Sequence, residues 1–477
     1  MNIPRIMIAG TKSGSGKTTI TCGIIRALTR GVMSTGEGLN VHAFKCGPDY
    51  IDPMFHRSAL GVPSKNLDLF FTDEETTRGL FLEGNDGDIS VIEGVMGLYD
   101  GIGGVSSVAS SYHLASVLET PIVLVIDAHG MGRSIIAELR GFLSMDENHL
   151  IKGVILNRIS ASFYGVIAPV IEEELDIKVL GYFPKSEGIK IESRHLGLLL
   201  PNEIAELDAM LDKAADIICE SVDLKALVDM AGDDEPGGRG QSVISDRWGQ
   251  GPPITFDKMI GGPCPHLSST SSKRLAIARD EAFCFYYEDN LRMLEAAGLT
   301  LVPFSPIHDE KLPEDIRGLI LGGGYPENFL EQLSNNKSML ESIKAAIDRG
   351  IPSLAECGGF MYLHEEIKDK DGKSFQMVGV IPGSCEYKDK LVRFGYMTIE
   401  EKEGNFLAGI DNRKINGHEF HYYDSTNNGS DCLSVKPSGK RSWESAHVGD
   451  NHWWGFAHLY YPSNPEFVWA FAAKEKG

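Results

Sequence analysis

Short apolar, β-rich runs alternate with longer segments of helical periodicity from the first residues onward. IPRIMIAG precedes an amphipathic stretch from about Lys17 to Arg30, and GLNVHAFKC, DISVIEG and TPIVLVIDA follow as further strands. IKGVILNR leads into an amphipathic stretch ending at Leu175, and IKVLGYF closes the series. Strands separated by crossover-length helical segments predict a mostly parallel sheet covered on both faces. The rhythm stops near residue 230. Residues 231–272 are rich in Gly, Pro and Ser and carry neither a 3.6 nor a 2.0 apolar period, which predicts an interdomain linker. A second series then begins: RLAIARD, a helix through Tyr287 to Ala297, LTLVPFSP, IRGLILGGG, a helix across Asn335 to Arg349, and IPSLAECGG. The expected organisation is two α/β domains, 1–230 and 273–477, joined by that segment.

Length agrees, since 477 residues are about three times the ~150-residue prior for one domain. The 42% hydrophobic, 9% aromatic and 23% charged residues are those of a chain that folds. Against 45 Lys and Arg stand 67 Asp and Glu, a net charge of −22 that repels phosphate backbones and anionic lipid surfaces at long range. Neither a nucleic-acid partner nor a membrane is expected. MNIPRIMIAG has no basic region or small-residue cleavage site, and no apolar run reaches the ~18 residues of a membrane span, so a cytoplasmic protein is expected. The eight cysteines form no CxxC pair, which argues against a disulfide scaffold or a zinc finger.

Gly10-Thr11-Lys12-Ser13-Gly14-Ser15-Gly16-Lys17-Thr18 leaves an apolar strand and opens a helix, the setting a P-loop needs. Its glycines let successive backbone N–H groups face an anion, Lys17 neutralises β/γ-phosphate charge, and the Thr18 hydroxyl is a magnesium ligand. Thr11 stands where the strict pattern has Gly, and Lys12 sits five before Lys17 as in the signature-lysine ATPases. Two acidic clusters follow at strand ends, one with Lys45, Asp49 and Asp52 and one with Glu93 and Asp100. Ligands of an open parallel sheet bind at the carboxyl ends of its strands, so these acids are expected to converge on the nucleotide; solvated loop acids are the alternative.

In IPSLAECGGFMYL, Cys357 lies between an apolar strand and a Gly-Gly start to the next element. A strand-to-helix elbow would expose the thiol at a helix N-terminus, where its pKa falls and the following N–H groups stabilise an oxyanion. LGGGYPE ends another strand and offers Gly323 and Gly324 for the same oxyanion, beside Gly358. Among 14 histidines the best placed base is His458, in WGFAHLY, with His418 and His421 of GHEFHYYDST as competitors. An ATP site together with an activated cysteine suggests amide formation. ATP converts an unreactive carboxylate to an acyl phosphate, and a Cys-His glutaminase supplies the ammonia that displaces phosphate.

GTKSGSGKTT, FKCGPDYIDPMFH, NLDLF, VIEGVMGLYDG, ESRHLGL, DEAFCFYYEDNL, LILGGGYPE, AECGGFMYL, GHEFHYYDST and GFAHLYYPSNP together resemble the cobyrinate and cobyrate synthase family of cobalamin biosynthesis, nearly end to end. The resemblance implies a dethiobiotin-synthetase-like N-terminal P-loop domain and a class I glutamine-amidotransferase-like C-terminal domain. It implies ATP- and glutamine-dependent amidation of the a and c acetates of cobyrinate with Mg²⁺, and leaves a homodimer open. Carried over by position, Gly14, Gly16, Lys17, Thr18, Thr19 and Asn157 fall on ATP, and Thr18 and Glu93 on the metal. Lys45, Asp49, Asp52 and Asp100 fall on substrate and ATP handling, and Cys357 and His458 on the glutaminase pair. Tyr460 stands where class I glutaminases commonly carry a Glu, so the sequence does not identify the group that orients His458. Competing readings are amidation of Ni-sirohydrochlorin by the same mechanism, a signature-lysine partitioning ATPase, which −22 disfavours, and a glutaminase with an inert P-loop. Because both inferred substrates are anions, binding must rest on local groups: Lys17, Lys45, Arg194, His195, backbone N–H donors and Mg²⁺.

Overall fold

The computed structural model describes residues 3–31, 38–186, 189, 204–232 and 273–474. Most of the expected linker, together with Arg194 and His195, lies outside the described residues. The chain divides into two compact units, Met1–Ile254 and Thr255–Gly477.

In the first unit the apolar runs become β1 (Arg5–Gly10), β2 (Val41–Cys46), β3 (Ser64–Leu67), β4 (Ile89–Glu93), β5 (Ile122–Asp127), β6 (Ile151–Asn157) and β7 (Lys178–Phe183). They form one sheet in the order β3-β2-β4-β1-β5-β6-β7, every pair parallel. Continuous burial along β1, β2 and β4 is what a sheet covered on both faces requires. Helix α1 (Lys17–Thr29) buries Ile20, Ile24 and Leu28 in a core shared with Leu211, Ala215 and Ile218 of Ile204–Ser221. Helix α2 (Ile51–Ala59) follows β2 and turns Asp52 and His56 inward. In register, Lys45 on β2 lies opposite Glu93 on β4, and Ile8 on β1 lies on the other side of Glu93. Neighbours in register share a face, so strand pairing alone brings Lys45 and Glu93 together beside the loop that follows β1.

The second unit opens with β8 (Lys273–Ala278), β9 (Leu299–Phe304), β10 (Gly318–Leu321) and β11 (Ser353–Glu356), parallel in the order β9-β8-β10-β11. His452–Gly455 continues the sheet parallel to β11, and His447–Gly449 closes it antiparallel. Beyond Cys357 the α/β alternation does not continue: only the short helices Gly358–Tyr362 and Pro465–Ala473 flank a run of strands. Arg393–Glu401 and Lys414–His421 pair antiparallel from Arg393↔His421 to Glu400↔Lys414, and the two-residue strand His458–Leu459 adds to the edge through His418↔His458. Among the described residues no helix is long and apolar enough to cross a membrane.

Candidate active sites

The loop between β1 and α1 takes its shape from glycines. Gly16, the residue preceding α1, has φ +96°, and a Cβ there would stand 2.1 Å from Asn157 Nδ2. Asn157, at the end of β6, in turn donates to the Ser15 carbonyl at 2.7 Å, so it braces the loop from beneath. No side chain caps the first turn of α1, which leaves that turn's N–H groups and the positive end of the helix for an anion. Gly14 is exposed, Thr18 and Thr19 are half-buried on the first turn, and Lys17 is buried.

Lys17 Nζ donates to the carbonyls of Met96 at 2.6 Å and Lys12 at 3.2 Å. Burial and the neighbouring Lys45 charge bring its ammonium down to about 8. The Thr18 hydroxyl donates to Glu93 Oε1 at 2.6 Å. Lys45 Nζ lies 2.8 Å from the same oxygen and 2.6 Å from Asp52 Oδ2, with all three side chains buried. Burial opposes the Lys45 charge, but Asp52, Glu93 and Asp49 outweigh it and push the ammonium above its ordinary range. Burial likewise opposes the Glu93 carboxylate, yet Lys45 and His56 hold it below the usual range. Asp52 goes the other way, raised by burial against the pull of Lys45. Asp49 is also raised, by burial and then by Asp52, and its Oδ1 accepts from Ile51 N at 2.9 Å at the start of α2. Three of the four expected acids therefore gather around one buried lysine.

Asp100 stands apart from that group. Its Oδ2 accepts from Gly97 N at 2.9 Å inside its own turn, though its charge still reaches Lys17. Lys12 pairs with Asp127 at 3.3 Å, and Arg158 pairs with the same carboxylate, so these two cations meet at the ends of β5 and β6. His56 was not singled out from the sequence, and its Nε2 lies 3.6 Å from Glu93 Oε2. Only the packing of α2 against β2 and β3 brings them together.

The donors fit magnesium. Thr18 and Glu93 offer hard oxygens, and Glu93 Oε2 is buried with no hydrogen-bond partner, so the carboxylate has capacity beyond the Thr18 and Lys45 contacts. No cluster of three metal-binding His, Cys, Asp or Glu occurs among the described residues. An ion shared with phosphate oxygens and water needs none, because Mg²⁺ in such sites takes only one or two protein ligands.

In the second unit Cys357 sits at the expected elbow, with φ +47° and ψ −103°, outside the ordinary regions for a side chain-bearing residue. The strain is held by Cys357 N donating to Gly455 O at 2.9 Å and by Met361 N donating to Cys357 O at 2.9 Å. Glycine is required around it: a Cβ on Gly324 would stand 1.9 Å from Ala282 O, and one on Gly358 2.8 Å from Pro326 Cδ and 3.1 Å from Gly324 N. On the other side, a Cβ on Gly323 would stand 2.2 Å from His458 Cε1. The turn Gly322–Gly324 thus abuts both the elbow and the His458 ring, and the three expected oxyanion glycines belong to one cluster.

One expectation is corrected here. The thiol was expected to be exposed with a depressed pKa, but Cys357 is only 6% exposed. Burial, then the charges of Glu327 and Glu419, push its thiol well up, and the Gly358 N–H only partly offsets them. The helix it opens has just five residues, too short for a dipole that outweighs desolvation. His458 is pushed the complementary way, down to about 3, by burial and then by His418 and His421. Burial thus favours the uncharged form of each group. His418 lies opposite His458 in register, while His421 stacks on Phe456 at 4.1 Å and meets the Tyr423 carbonyl at 2.6 Å through Nδ1. His418 and His421 thus both lie close to His458.

Tyr460, at the usual carboxylate position, donates its hydroxyl to Asp289 Oδ2 at 2.8 Å. Glu356, which no sequence signal distinguished within AECGG, is buried and accepts from Leu459 N at 3.3 Å and from the Tyr461 hydroxyl at 3.0 Å. Burial pushes it up to about 8.

Comparison with known proteins finds a matching family for each unit. The CobQ/CobB/MinD/ParA nucleotide binding domain family matches residues 6–199, and the CobB/CobQ-like glutamine amidotransferase domain family matches residues 274–455. The cobyrinate a,c-diamide synthase of Caldanaerobacter subterraneus subsp. tengcongensis is 40% identical over 457 residues, 95% of this chain and 94% of that protein. Those of Clostridium tetani and Listeria innocua are each 38% identical, over 98% and 97% of this chain and 99% and 98% of their own. A nucleotide-binding unit with a formed P-loop, a glutaminase-type unit with a cysteine elbow, and full-length similarity of this order lead to one conclusion: the chain belongs to the cobyrinate a,c-diamide synthase family of glutamine-dependent amidating ligases.

Proposed function

We propose that the protein converts the a and c acetate carboxylates of cobyrinate to amides in cobalamin biosynthesis, using one ATP and one glutamine for each. The observation that carries the ATP half is the Thr18–Glu93–Lys45–Asp52 cluster set directly after the P-loop. A substrate carboxylate oxygen attacks the γ-phosphorus, the bond to the ADP oxygen breaks, and an acyl phosphate forms. Lys17 and the N–H groups opening α1 bind the phosphates, and Asn157 keeps the loop in shape from below. Thr18 and Glu93 would hold Mg²⁺, which when bound would neutralise charge on the transferred phosphate. Lys45 keeps Glu93 ionised and supplies positive charge where two anions must meet, while Asp49 and Asp52 line the same end of the sheet.

Glutamine is hydrolysed in the second unit. As the Cys357 sulfur attacks the side-chain amide carbon, its proton passes to His458, and the oxyanion faces the N–H groups of Gly323, Gly324 and Gly358. His458 then protonates the leaving ammonia, and water opens the thioester to glutamate. Starting from uncharged thiol and imidazole suits a buried pair, since charge appears only when glutamine brings the dipoles that stabilise it. Ammonia attacks the acyl carbon, the C–O bond to phosphate breaks, and the amide forms with release of phosphate and a proton.

Incubating the purified protein with ATP, Mg²⁺ and glutamine, and with cobyrinate or Ni-sirohydrochlorin, tests the assignment. Mass spectrometry should show cobyrinate losing one mass unit for each carboxylate amidated. Amidation of Ni-sirohydrochlorin with cobyrinate left untouched would move the protein to the alternative macrocycle.

A further inference from the structure

His458 carries no carboxylate two residues on, and Tyr460 is turned away onto Asp289. The nearest substitute by connectivity is Glu356. Resting on the reading of Cys357 and His458 as the glutaminase pair, we propose that Glu356 is a positioning residue that fixes the His458 segment relative to Cys357.

The geometry is that of a staple. Glu356 is the last residue of β11, in register with Gly455 of the neighbouring strand, and Cys357 follows it directly. From Gly455 the chain turns through Phe456 and Ala457 and returns as His458–Leu459. The Glu356 side chain spans that turn: one oxygen accepts from Leu459 N, the residue after His458, and the other from the Tyr461 hydroxyl. Cys357 and His458 are thus joined by a path of two peptide bonds, one side chain and one hydrogen bond. Asn290 holds the same segment from the outside, donating to Leu459 O at 2.7 Å and accepting from Tyr461 N at 2.8 Å. Asn290 is fixed to a surface helix, and Glu356 alone among these is bonded to the nucleophile. A misplacement of about 1 Å between reacting groups can cost on the order of 100-fold in rate, so a contact of this kind bears on kcat without touching substrate. Burial favours the uncharged acid near neutrality, and a glutamine amide, uncharged and of the same shape, keeps an oxygen that can accept from Leu459 N.

The test compares Glu356→Ala, Glu356→Gln and Tyr461→Phe in the full-length protein, measuring glutamine hydrolysis and ammonium-driven amidation. Glu356→Ala should lower kcat for glutamine hydrolysis on the order of 10- to 100-fold, with KM for glutamine and the ammonium-driven rate unchanged. Glu356→Gln should restore most of kcat, and Tyr461→Phe should fall between. Wild-type kcat in Glu356→Ala, or a Gln variant as impaired as the Ala variant, would overturn the proposal. Should Glu356→Ala fail to fold, Tyr461→Phe decides: wild-type kcat, or a parallel loss of glutamine- and ammonium-driven activity, overturns it. Failure of the underlying reading leaves a different mark, namely glutamine hydrolysis that survives Cys357→Ala.

Discussion

Thr18, on the first turn of α1, and Glu93, at the end of β4, are seventy-five positions apart in the chain and meet through a 2.6 Å hydrogen bond between hydroxyl and carboxylate. Each is an oxygen donor of the kind Mg²⁺ accepts; the parallel sheet places Glu93, and the glycine-shaped loop after β1 places Thr18. Thr18→Ala should raise the Mg²⁺ concentration needed for half-maximal amidation on the order of tenfold, and Thr18→Ser should restore it. A magnesium titration of ammonium-driven amidation isolates this effect from the glutaminase. An unchanged titration curve in Thr18→Ala would remove the hydroxyl from the metal site.

Gly16 and Gly14 separate backbone strain from steric exclusion. Both have positive φ, but a Cβ on Gly16 runs into Asn157 Nδ2 at 2.1 Å whereas one on Gly14 meets nothing within 4 Å. Gly16→Ala should abolish ATP binding and both amidation activities, because Asn157 must leave Ser15 and the loop must reshape. Gly14→Ala carries only the conformational cost, about 1–3 kcal/mol, and should keep measurable activity. Calorimetric titration with an ATP analogue checks both; equal affinities for the two variants would contradict the placement of Asn157.

The two units should separate by mutation. Cys357→Ala should lose glutamine-driven amidation while keeping the rate with high ammonium, because only ammonia generation is removed. Lys17→Ala should lose both. Amidation that survives in Lys17→Ala with ammonium would take the P-loop out of the mechanism.

Glu356 gives a pH signature. Its pKa rises from 4.5 in an unperturbed carboxyl to about 8 in the fold, so between those values the native state binds more protons than the unfolded chain. The stability it contributes is present in full below pH 4.5 and is lost as pH rises through about 8. Glu356→Gln removes that dependence. The melting temperature of the variant minus that of the wild type should therefore climb between pH 5 and pH 9 in thermal unfolding. A difference that stays flat over this range would show that Glu356 is ionised in the fold.

The sheet of the first unit was legible because parallel strands buried on both faces appear as continuous apolar runs, and Lys17, Thr18 and Cys357 were legible because their motifs are local. What the sequence did not show is what tertiary structure alone decides. His56 reaches Glu93 only because α2 folds back onto β2 and β3, and Asp100 is held in its own turn by a hydrogen bond that its motif does not distinguish. Glu356 looks like any strand residue until the return of the chain at Leu459 meets it. The state of Cys357 was misjudged because an elbow motif fixes backbone geometry, while burial, which a short helix cannot offset, sets the thiol pKa. Much of the strand-rich region after Cys357 was not legible for a related reason: pieces as short as His447–Gly449 carry no period of their own.

The central claim is that this chain activates a carboxylate as an acyl phosphate in one unit and amidates it with ammonia released in the other. Cobyrinate bearing ¹⁸O in its a and c carboxylates, turned over with ATP, Mg²⁺ and glutamine, tests that claim directly through the mass of the inorganic phosphate released. The account predicts one ¹⁸O atom transferred to phosphate for every amide formed. Amide formation accompanied by unlabelled phosphate would contradict it.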